Sequence, residues 1–488
     1  MINRSAYAVR EQALGETEAR LMDDPDAIAL RFDRARLLTE LGRNEEAKQA
    51  YLDILTRDPA HFGALNNLGV LLHAAGFRTA ARTVYAEAVN QHPENPKGHL
   101  NFANALLDND DLPTARAHYE IALRLAPDLA EAHQGLTKLF TLMGDEERAL
   151  LHRHMGFQRQ PVITLPYRGK QMPLPVLLII SAAGGNIPVR QFLDERVFLV
   201  SVIVAEFYDA SIMLPPHRLV INAIGDAELC KAGLEAAEKI IARSAAPVIN
   251  RPRAILATGR VMNATRLASI EHLVTPKAAT MPRALLAEPD ALSTLAGRGF
   301  AFPFLLRTPG YHTGHYFIRV ENAEELAASL TKLPGAELTV LQYLDARGAD
   351  QKIRKYRVMM IDQQLYPVHA AISHQWKVHY FSAEMADHPA HRAEDAAFLE
   401  DMPGAIGPKA MTVLERIRDA LRLDYGGIDF GLNPDGDVIL FEANATMIVT
   451  PPETGDRWTY RRAPIERIFD AIRKMFVEKA ENARAIVS

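Results

Sequence analysis

Cysteine is almost missing from this chain, since Cys230 is the single cysteine in 488 residues. One thiol excludes an intrachain disulfide and fits a reducing compartment, so we expect a cytoplasmic protein. Cys230 lies in the helical pattern AELCKAGLEAAEKIIA, where we expect a buried apolar role.

Long apolar runs and an excess of basic charge are also lacking. No stretch reaches the roughly 18 apolar residues of a membrane span, and MINRSAYAVREQ at the N-terminus has no apolar signal-peptide core. The net charge of −5 argues against a nucleic-acid platform, which usually carries a basic patch. A composition of 48% hydrophobic and 24% charged residues is ordinary for soluble globular protein. The length predicts roughly two to four domains.

The N-terminal third contains a repeat. Three residue types recur every 34 residues: Pro25, Pro59, Pro93, Pro127 and Pro161; Ala47, Ala81, Ala115 and Ala149; Tyr51, Tyr85 and Tyr119. This period is that of the tetratricopeptide repeat, which the segment resembles closely. The resemblance implies an N-terminal helix followed by four repeats at about residues 28–163, with each proline ending a second helix and the tyrosines filling the gap to the next repeat.

A superhelix of such repeats has a concave face that binds partners. Polar residues on the first helices are candidates for holding a protein or peptide partner there: Asn66, Asn67, His99, Asn101 and Asn104. The alternative is that they form an ordinary solvated surface. A homodimer is also left open by the sequence.

Residues 164–173 form a proline-marked linker, and the pattern then alternates between strand and helix. Predicted strands are PVLLIIS, VFLVSVIVAE and RLVINAIG, and predicted helices are NIPVRQFLDE and DAELCKAGLEAAEKIIARS. This order indicates an α/β layer with a mostly parallel sheet over residues 174–275.

A hairpin is predicted in DYGGIDFGLNPDGDVILFEAN, residues 424–444. Asp435-Gly436 is a two-residue type I′ turn signal between two alternating apolar runs. That turn sets the cross-strand partners as Leu432 with Ile439, Phe430 with Phe441, Ile428 with Ala443 and Asp429 with Glu442.

On the polar face of this hairpin Asp429 opposes Glu442, and Asn444 lies two residues further along the same side. Like charges directly opposite each other destabilise a sheet. The pair gains if a hard cation such as Mg²⁺ lies between the carboxylates, since that ion takes oxygen ligands. We therefore expect a repulsive pair in the metal-free protein. The alternative is that the polar face simply meets water.

The spacing of Asp429 and the Glu442-Ala443-Asn444 triplet, preceded by Gly426-Gly427, resembles the metal-binding end of the ATP-grasp ligases. In that superfamily these residues hold the magnesium ions that bridge the nucleotide phosphates. The resemblance extends upstream over roughly 300 residues with looser motifs. It implies an α/β preATP-grasp domain at residues 174–275 and an α+β ATP-grasp domain at residues 276–488, with ATP and Mg²⁺, or Mn²⁺, as cofactors.

Further residues take roles from the same resemblance. Gln342-Tyr343-Leu344-Asp345 looks like the hinge strand that reads adenine, and Arg357 corresponds to the arginine that contacts the transferred phosphate. Arg307, and less surely Arg260, stand where the family usually has phosphate-binding lysines; arginine is also a good phosphate ligand. The loop Thr308–His315, with Gly310 and Gly314, is suited to lie over phosphates, although a plain surface turn is the alternative.

The stretch SHQWKVHYFSAEM reads as an alternating strand in which Lys377 and His379 could meet a carboxylate or an acyl phosphate. We expect the following segment, ADHPAHRAEDAAFLEDMPGAIG, to be a long polar loop around one short helix.

The resemblance implies an ATP-dependent carboxylate-amine ligase with ADP and phosphate as products. A substrate carboxylate attacks the γ-phosphorus to form an acyl phosphate, and an amine then displaces phosphate through an oxyanion that Arg357 or Lys377 could stabilise. The carboxylate and the amine come from small molecules or peptides. Two alternatives are a phosphotransferase of the same fold and a degenerate nucleotide-binding scaffold without catalysis.

Overall fold

The computed structural model describes residues 2–158, 161–311, 314–378, 380, 383–452 and 455–482. The chain forms two compact units: one is Met1–Pro175 with Asp194–Tyr208, and the other is Val176–Leu193 with Asp209–Ser488. The first unit is mainly helical and the second is mixed α/β. The predicted order, a helical repeat region followed by an α/β region, is therefore confirmed.

The first unit consists mainly of consecutive helices, each packed on its neighbours in sequence. They are α1 (Ile2–Asp23), α2 (Ile28–Glu40), α3 (Asn44–Arg57), α4 (Phe62–Ala74), α5 (Arg78–Gln91), α6 (Pro96–Leu107), α7 (Leu112–Leu125), α8 (Ala130–Leu142) and α9 (Glu146–Phe157). The pairs α2/α3, α4/α5, α6/α7 and α8/α9 match the predicted repeats.

The prolines lie where each second helix has just ended. Pro59, Pro93 and Pro127 are each two residues past the last helical residue of α3, α5 and α7. A proline cannot continue a helix, because it lacks the N–H and its ring meets the preceding turn. The repeated prolines therefore set the length of each second helix.

The repeated small and aromatic residues form the core between helices. Ala47, Ala81, Ala115 and Ala149 are fully buried. The Tyr119 ring of α7 lies where a side chain on Gly135 of the next repeat would be. The Tyr85 ring of α5 covers Gly69 of its own repeat in the same way. Each tyrosine thus lies against a first helix, and the missing side chain of a glycine makes room for it.

Two short strands complete the first unit. β1 (Val162–Thr164) pairs antiparallel with β3 (Phe198–Val204). The Phe207 ring packs against His154 and Phe157 of α9. None of the helices that the structure describes, in either unit, is long and apolar enough to cross a membrane.

The second unit begins with a parallel layer. β2 (Leu174–Ile180), β4 (Leu219–Asn222) and β5 (Val248–Ile249) are parallel neighbours in that order. The parallel pairing predicted for the first α/β layer is therefore present. The predicted helix at NIPVRQFLDE is reduced to one 3-10 turn, Val189–Phe192. The helices of this part are α10 (Lys231–Ile241), α11 (Pro252–Leu256) and α12 (Arg260–Arg266).

Two further sheets follow, one of four strands in the order β7-β10-β8-β9 and one of five in the order β12-β11-β13-β14-β6. The strands are β6 (Leu273–Val274), β7 (Ala278–Pro282), β8 (Phe304–Arg307), β9 (Phe317–Val320), β10 (Glu337–Gln342), β11 (Ile353–Ile361), β12 (Gln364–Ser373), β13 (Tyr425–Leu432) and β14 (Val438–Asn444). All their pairings are antiparallel except that between β14 and β6.

The helices of this region are α13 (Arg283–Ala287), α14 (Ala291–Gly297), α15 (Ala323–Lys332), α16 (Pro389–Glu400), α17 (Met402–Leu421) and α18 (Arg462–Asn482). The segment predicted to be a long polar loop around one short helix, residues 386–407, contains α16 and the start of α17. A helix is therefore present as predicted, but the long loop around it is not. α16 begins with Pro389 at its first position, where a proline fits a helix, and it buries Phe398 and Leu399.

Candidate functional site

A row of polar residues crosses the middle of the five-stranded sheet. His369 of β12 is the Cα partner of Arg357 of β11, which is the partner of Asp429 of β13, which is the partner of Glu442 of β14. Directly opposed residues on neighbouring strands share a face of the sheet. The register therefore brings one neutral ring, one cation and two acids into a line on one face.

The predicted pairing of Asp429 with Glu442 and of Ile428 with Ala443 is confirmed, but the turn and the register next to it differ from the prediction. The turn is a longer loop in which Gly436 has φ 78° and its N–H donates to the Asn433 carbonyl. This loop shifts the partners next to it by one residue, so the predicted pairs of Leu432 and Phe430 are wrong.

A bulge restores the register further along the hairpin. The partners change by one residue between Asp429 and Phe430, and Phe441 becomes the extra residue of β14. A loop with an added residue and glycine in the left-handed region, and a bulge, are each one-residue irregularities. Here the two cancel, so the polar row keeps its predicted partners.

Asp429 is buried and paired with two cations. The Arg357 Nε and Nη2 atoms donate to Asp429 Oδ1 and Oδ2 at 2.7 and 2.8 Å. Lys355 Nζ lies 2.7 Å from Oδ2. Burial alone would raise the pKa of this carboxyl, but Arg357 and Lys355 outweigh it and hold the pKa far below its usual range. The repulsion expected between Asp429 and Glu442 in the protein without a metal is therefore offset by neighbouring cations.

Glu442 is neutralised by another arginine. Arg260 Nη2 donates to Glu442 Oε1, and the Asn444 amide donates to the same oxygen at 2.8 Å. Burial opposes ionisation of Glu442, yet Arg260 outweighs it and lowers the carboxyl pKa. Asn444 Oδ1 in turn accepts from the Thr446 N–H and hydroxyl, which fixes the amide orientation.

Arg307 at the end of β8 is buried, with 3% of its surface exposed. Its Nη2 donates to the Tyr311 carbonyl, whereas Nη1 has no hydrogen-bond partner among the described residues and lies 3.5 Å from Glu228 Oε2. Burial, together with the nearby Arg260, lowers the pKa of this guanidinium to about 10. A buried donor without an acceptor is costly, so Arg307 favours an additional anion.

These groups line a small cavity of about 20 Å³, shared by Glu228, Arg260, Arg307, Glu442 and Asn444. That volume admits about one water molecule. The structure thus brings the predicted metal-binding residues Glu442 and Asn444 together with the predicted phosphate-binding residues Arg260 and Arg307.

A hard cation held jointly with a phosphate would take its oxygen ligands from Asp429, Glu442 and Asn444. Magnesium is commonly bound by one or two carboxylates plus substrate phosphates. Within the described part of the chain, no three His, Cys, Asp or Glu side chains are grouped to hold a metal alone. An ion at Asp429 and Glu442 would therefore use the Asn444 amide and oxygens of a bound anion.

Lys377 does not line this cavity. It lies in a loop after β12, which ends at Ser373, so the described residues after Ser373 in SHQWKVHYFSAEM do not form the predicted strand. Lys377 Nζ donates to the Gly314 carbonyl, and burial lowers its pKa. Gly310 and Gly314 have φ of 78° and 76° in the loop after β8. His379, His312 and Thr313 lie outside the described residues.

The predicted adenine-reading segment follows β10. The Gln342 N–H donates to the Lys277 carbonyl at 2.8 Å, so this backbone donor is already used. The Tyr343 ring lies under the Arg319 guanidinium at 4.2 Å, and its hydroxyl has no hydrogen-bond partner within the part of the chain that the structure describes. Leu344 packs on the core beside the five-stranded sheet, and Asp345 pairs with Arg347.

Three residues of the cluster had no role in the sequence interpretation: Lys355, His369 and Glu228. Lys355 and Arg357 are two residues apart on one strand, and this spacing alone puts them on one face. His369 is buried, and burial, followed by the Arg357 charge, lowers its pKa well below the usual value. The sequence around Glu228 contains no signal for its position.

In the helical unit, asparagines of neighbouring repeats are hydrogen-bonded in series. Asn101 donates to Asn66 at 2.7 Å, Asn66 to Asn67 at 3.1 Å, and Asn67 to the Tyr51 hydroxyl at 3.1 Å. We call Asn66, Asn67 and Asn101 the asparagine series. Asn104 accepts from the Tyr119 hydroxyl at 2.6 Å and is exposed.

His99 is buried rather than at the predicted binding face, and it forms one of two equivalent histidine pairs. The Nδ1 atoms of His99 and His118 lie 2.8 Å apart, as do those of His133 and His152. In each pair the Nε2 atom of the first histidine is also hydrogen-bonded to a proline carbonyl, that of Pro93 in the first pair and that of Pro127 in the second.

The tetratricopeptide repeat family model matches residues 32–96 and 74–130, so the helical unit contains repeats of this type. No curated protein matches the chain.

Several solved repeat structures are similar to this region. YrrB, described as a TPR protein with an unusual peptide-binding site, is 18% identical over 32% of this chain and 81% of that one, with a TM-score of 0.28. The thermophilic TPR protein TTC0263 of Thermus thermophilus is 23% identical over 32% and 87%, with a TM-score of 0.28. MamA of Desulfovibrio magneticus RS-1, residues 41 to the end, is 20% identical over 29% and 81%, with a TM-score of 0.28.

Proposed function

We propose that the α/β unit is an ATP-dependent carboxylate-amine ligase of the ATP-grasp type, and that the repeats recruit a protein or peptide partner. The observation that supports the first part most directly is Nη1 of buried Arg307, which lacks an acceptor among the described residues and lies beside Arg260 and the paired carboxylates. Such a place suits a polyphosphate accompanied by a divalent cation.

The roles follow from the contacts. Asp429, Glu442 and Asn444 would hold Mg²⁺, which when bound offsets phosphate charge and orients the transferred group. Arg307 and Arg260 would bind phosphate oxygens. Arg357 is held by its two hydrogen bonds to Asp429 and would place a positive charge beside that residue in the polar row. Arg357 and Lys355 together keep Asp429 ionised.

In the proposed reaction, a substrate carboxylate oxygen attacks the γ-phosphorus and ADP leaves. The nitrogen of an amine then attacks the acyl carbon and loses a proton to solvent. The bond between the acyl carbon and the bridging oxygen breaks, and phosphate leaves with that oxygen. Arg357 is the cation available to the tetrahedral oxyanion. Lys377 would reach it only by leaving the Gly314 carbonyl, so we assign the role to Arg357 first.

The test is a product assay with Mg-ATP and pooled amino acids, peptides and small acids, followed by chromatography and mass spectrometry. We expect ADP, phosphate and a product joined with loss of water. AMP and pyrophosphate would overturn the proposal. A phosphorylated acceptor without free phosphate would instead identify a phosphotransferase.

A second candidate is a repeat scaffold whose α/β unit binds no nucleotide. It is favoured by the internal neutralisation of Asp429 and Glu442 and by the small size of the cavity. Calorimetric titration with Mg-ATP separates the two, because the scaffold predicts no binding heat.

A further inference from the structure

Glu228 occupies the space in front of the buried Arg307. Its Oε2 is 3.5 Å from Arg307 Nη1, and its Oε1 accepts from the Arg260 backbone N–H at 3.3 Å. The Glu228 side chain is 24% exposed and that of Arg307 is 4% exposed. The acid therefore lies on the solvent side of the arginine.

The contact between the two is weak for its charge. Charge-assisted N–H···O bonds are usually about 2.7–2.9 Å long, and Nη1 makes no hydrogen bond to any described residue. Burial and the second positive charge of Arg260 lower the pKa of Arg307 despite the nearby acids Glu228, Glu442 and Asp226. Arg307 thus has a charge and a donor that a better acceptor than Glu228 would use.

Space gives the second argument. The cavity between Glu228, Arg307 and Glu442 has about 20 Å³, enough for about one water. A phosphate group, with its phosphorus and surrounding oxygens, is larger. Because Glu228 Oε2 lies 3.5 Å from Nη1, a phosphate oxygen that binds Nη1 either displaces this carboxylate or lies beside it, and in both cases the Glu228 charge is close to the incoming anion.

We infer that Glu228 is a specificity-determining residue that holds the phosphate position on Arg307 and admits a polyphosphate only together with a divalent cation. The inference rests on the proposed function of the same site. Its physical basis is repulsion, since the Glu228 and Glu442 carboxylates disfavour a bare anion and a cation bound with the anion offsets that charge.

The test uses the full chain, inorganic tripolyphosphate as the probe, and calorimetry with and without Mg²⁺. The parent should bind the probe much more tightly with the metal. Glu228→Gln removes the charge while its amide oxygen still accepts from the Arg260 N–H. We expect this variant to bind metal-free tripolyphosphate about tenfold more tightly than the parent. Adding Mg²⁺ should therefore increase the affinity of the variant less than that of the parent.

Two variants serve as controls. Glu228→Asp keeps the charge and should keep the metal dependence of the parent. Glu235→Gln removes an exposed charge of α10 and should leave both affinities unchanged. If circular dichroism shows that Glu228→Gln is unfolded, Glu228→Ala removes the same charge and is interpreted in the same way.

Equal metal-free affinities in the parent and the uncharged variant would overturn the inference, and so would no binding of the probe by either. The proposed function fails separately, in the product assay. If tripolyphosphate binds as expected but no ADP forms, the ligase proposal is rejected and the inferred role of Glu228 is retained. If ADP forms but Glu228→Gln has the same metal-free affinity for tripolyphosphate as the parent, only the inferred role of Glu228 is rejected.

Discussion

Among single side chains, Asp429 sets the charge balance of the site. It is fully buried and its two oxygens meet both Arg357 and Lys355. A buried ion pair gives little net stability, but removing one partner leaves the other charges buried without compensation. Asp429 therefore holds the two cations in place as much as they hold it.

Replacing Asp429→Asn should destabilise the α/β unit by about 3–5 kcal/mol, the usual cost of breaking a buried pair. Urea unfolding followed by circular dichroism measures this change. Asp435→Asn, at an exposed position of the same hairpin, is the control and should change stability by less than about 0.5 kcal/mol. A stable Asp429→Asn variant would instead support a solvated, unpaired carboxylate.

The same pairing gives a pH dependence. The folded-state pKa of Asp429 is lowered by Arg357 and Lys355 despite its burial. Its stabilisation is therefore fully present above the unfolded value, about 3.9, and is lost as pH falls below that value. In Asp429→Asn the free energy of unfolding should therefore fall less steeply in acid than it does in the parent. An identical decrease in the two proteins would contradict the assignment.

Arg307→Ala should weaken Mg-ATP binding by about 1.5–3 kcal/mol, the scale of a hydrogen bond to a charged group. Arg307→Lys should recover part of this loss, because lysine keeps the charge but not the forked donors. Isothermal titration measures both variants, with exposed Arg298→Ala as the control. Unchanged affinity in Arg307→Ala would show that phosphate binds elsewhere.

In the helix pairs, stability depends on contacts that the 34-residue period repeats. The Tyr119 ring fills the space over Gly135, so any side chain at residue 135 meets the ring. Gly15 in α1 is exposed and has no described heavy atom near its missing Cβ. The two glycines offer a matched comparison of helix propensity with and without a steric conflict.

We expect Gly135→Ala to destabilise the repeats by about 1–3 kcal/mol through overpacking. Gly15→Ala should stabilise α1 by up to about 1 kcal/mol, since alanine is the better helix former. Thermal unfolding monitored by circular dichroism gives both signs. Two changes of the same sign would show that Tyr119 adapts to the added methyl group.

The histidine pairs make the repeats sensitive to acid. Burial, aided by the neighbouring His99 and His133, lowers the pKa of His118 and His152. The folded state thus binds these protons less well than the unfolded chain. Stability is fully present above the unfolded value, about 6.5, and is lost as pH falls below it.

Melting of the repeats between about pH 7.5 and pH 5 tests this expectation. In the double variant His118→Gln and His152→Gln, an amide can still donate to the partner Nδ1 but does not titrate. The decrease of the melting temperature in acid should therefore be smaller than in the parent. An equal decrease would show that other groups cause it.

The period of prolines and tyrosines predicted the helix pairs, because equivalent residues make similar packing contacts in every repeat. The hairpin partners of Asp429 were also predictable, since strand alternation fixes the face. The loop around Pro434 and the bulge at Phe441 were not, because Asp-Gly fits shorter and longer hairpin turns alike. Two errors of one residue happened to cancel at Asp429.

Charge compensation was harder to predict than register. Lys355 and Arg357 lie on a strand far from Asp429 in sequence, and no local pattern of β13 indicates which neighbour it has. Glu228 reaches Arg307 from an irregular segment between β4 and α10. Only one short helix was predicted where the 12-residue α16 lies, because its polar residues resemble a loop, although Pro389 followed by buried Phe398 and Leu399 is compatible with a longer helix.

For the complete chain, the proposed division of labour makes partner recruitment and nucleotide binding separate properties. The asparagine series, Asn66, Asn67 and Asn101, links neighbouring repeats. Side-chain amides have both donors and acceptors, so they can pair with the backbone of an extended peptide. The α/β unit has its own charged site, which needs no residue of the series.

The double variant Asn66→Ala and Asn101→Ala should therefore lower ATP turnover with the peptide pool while leaving Mg-ATP affinity unchanged. Initial rates of ADP release and isothermal titration measure the two properties on the same preparation. Exposed Asn90→Ala at the end of α5 is the control and should match the parent in both. Parental turnover in the double variant would reject recruitment through the asparagine series. A loss of Mg-ATP affinity would contradict the separation of the two properties.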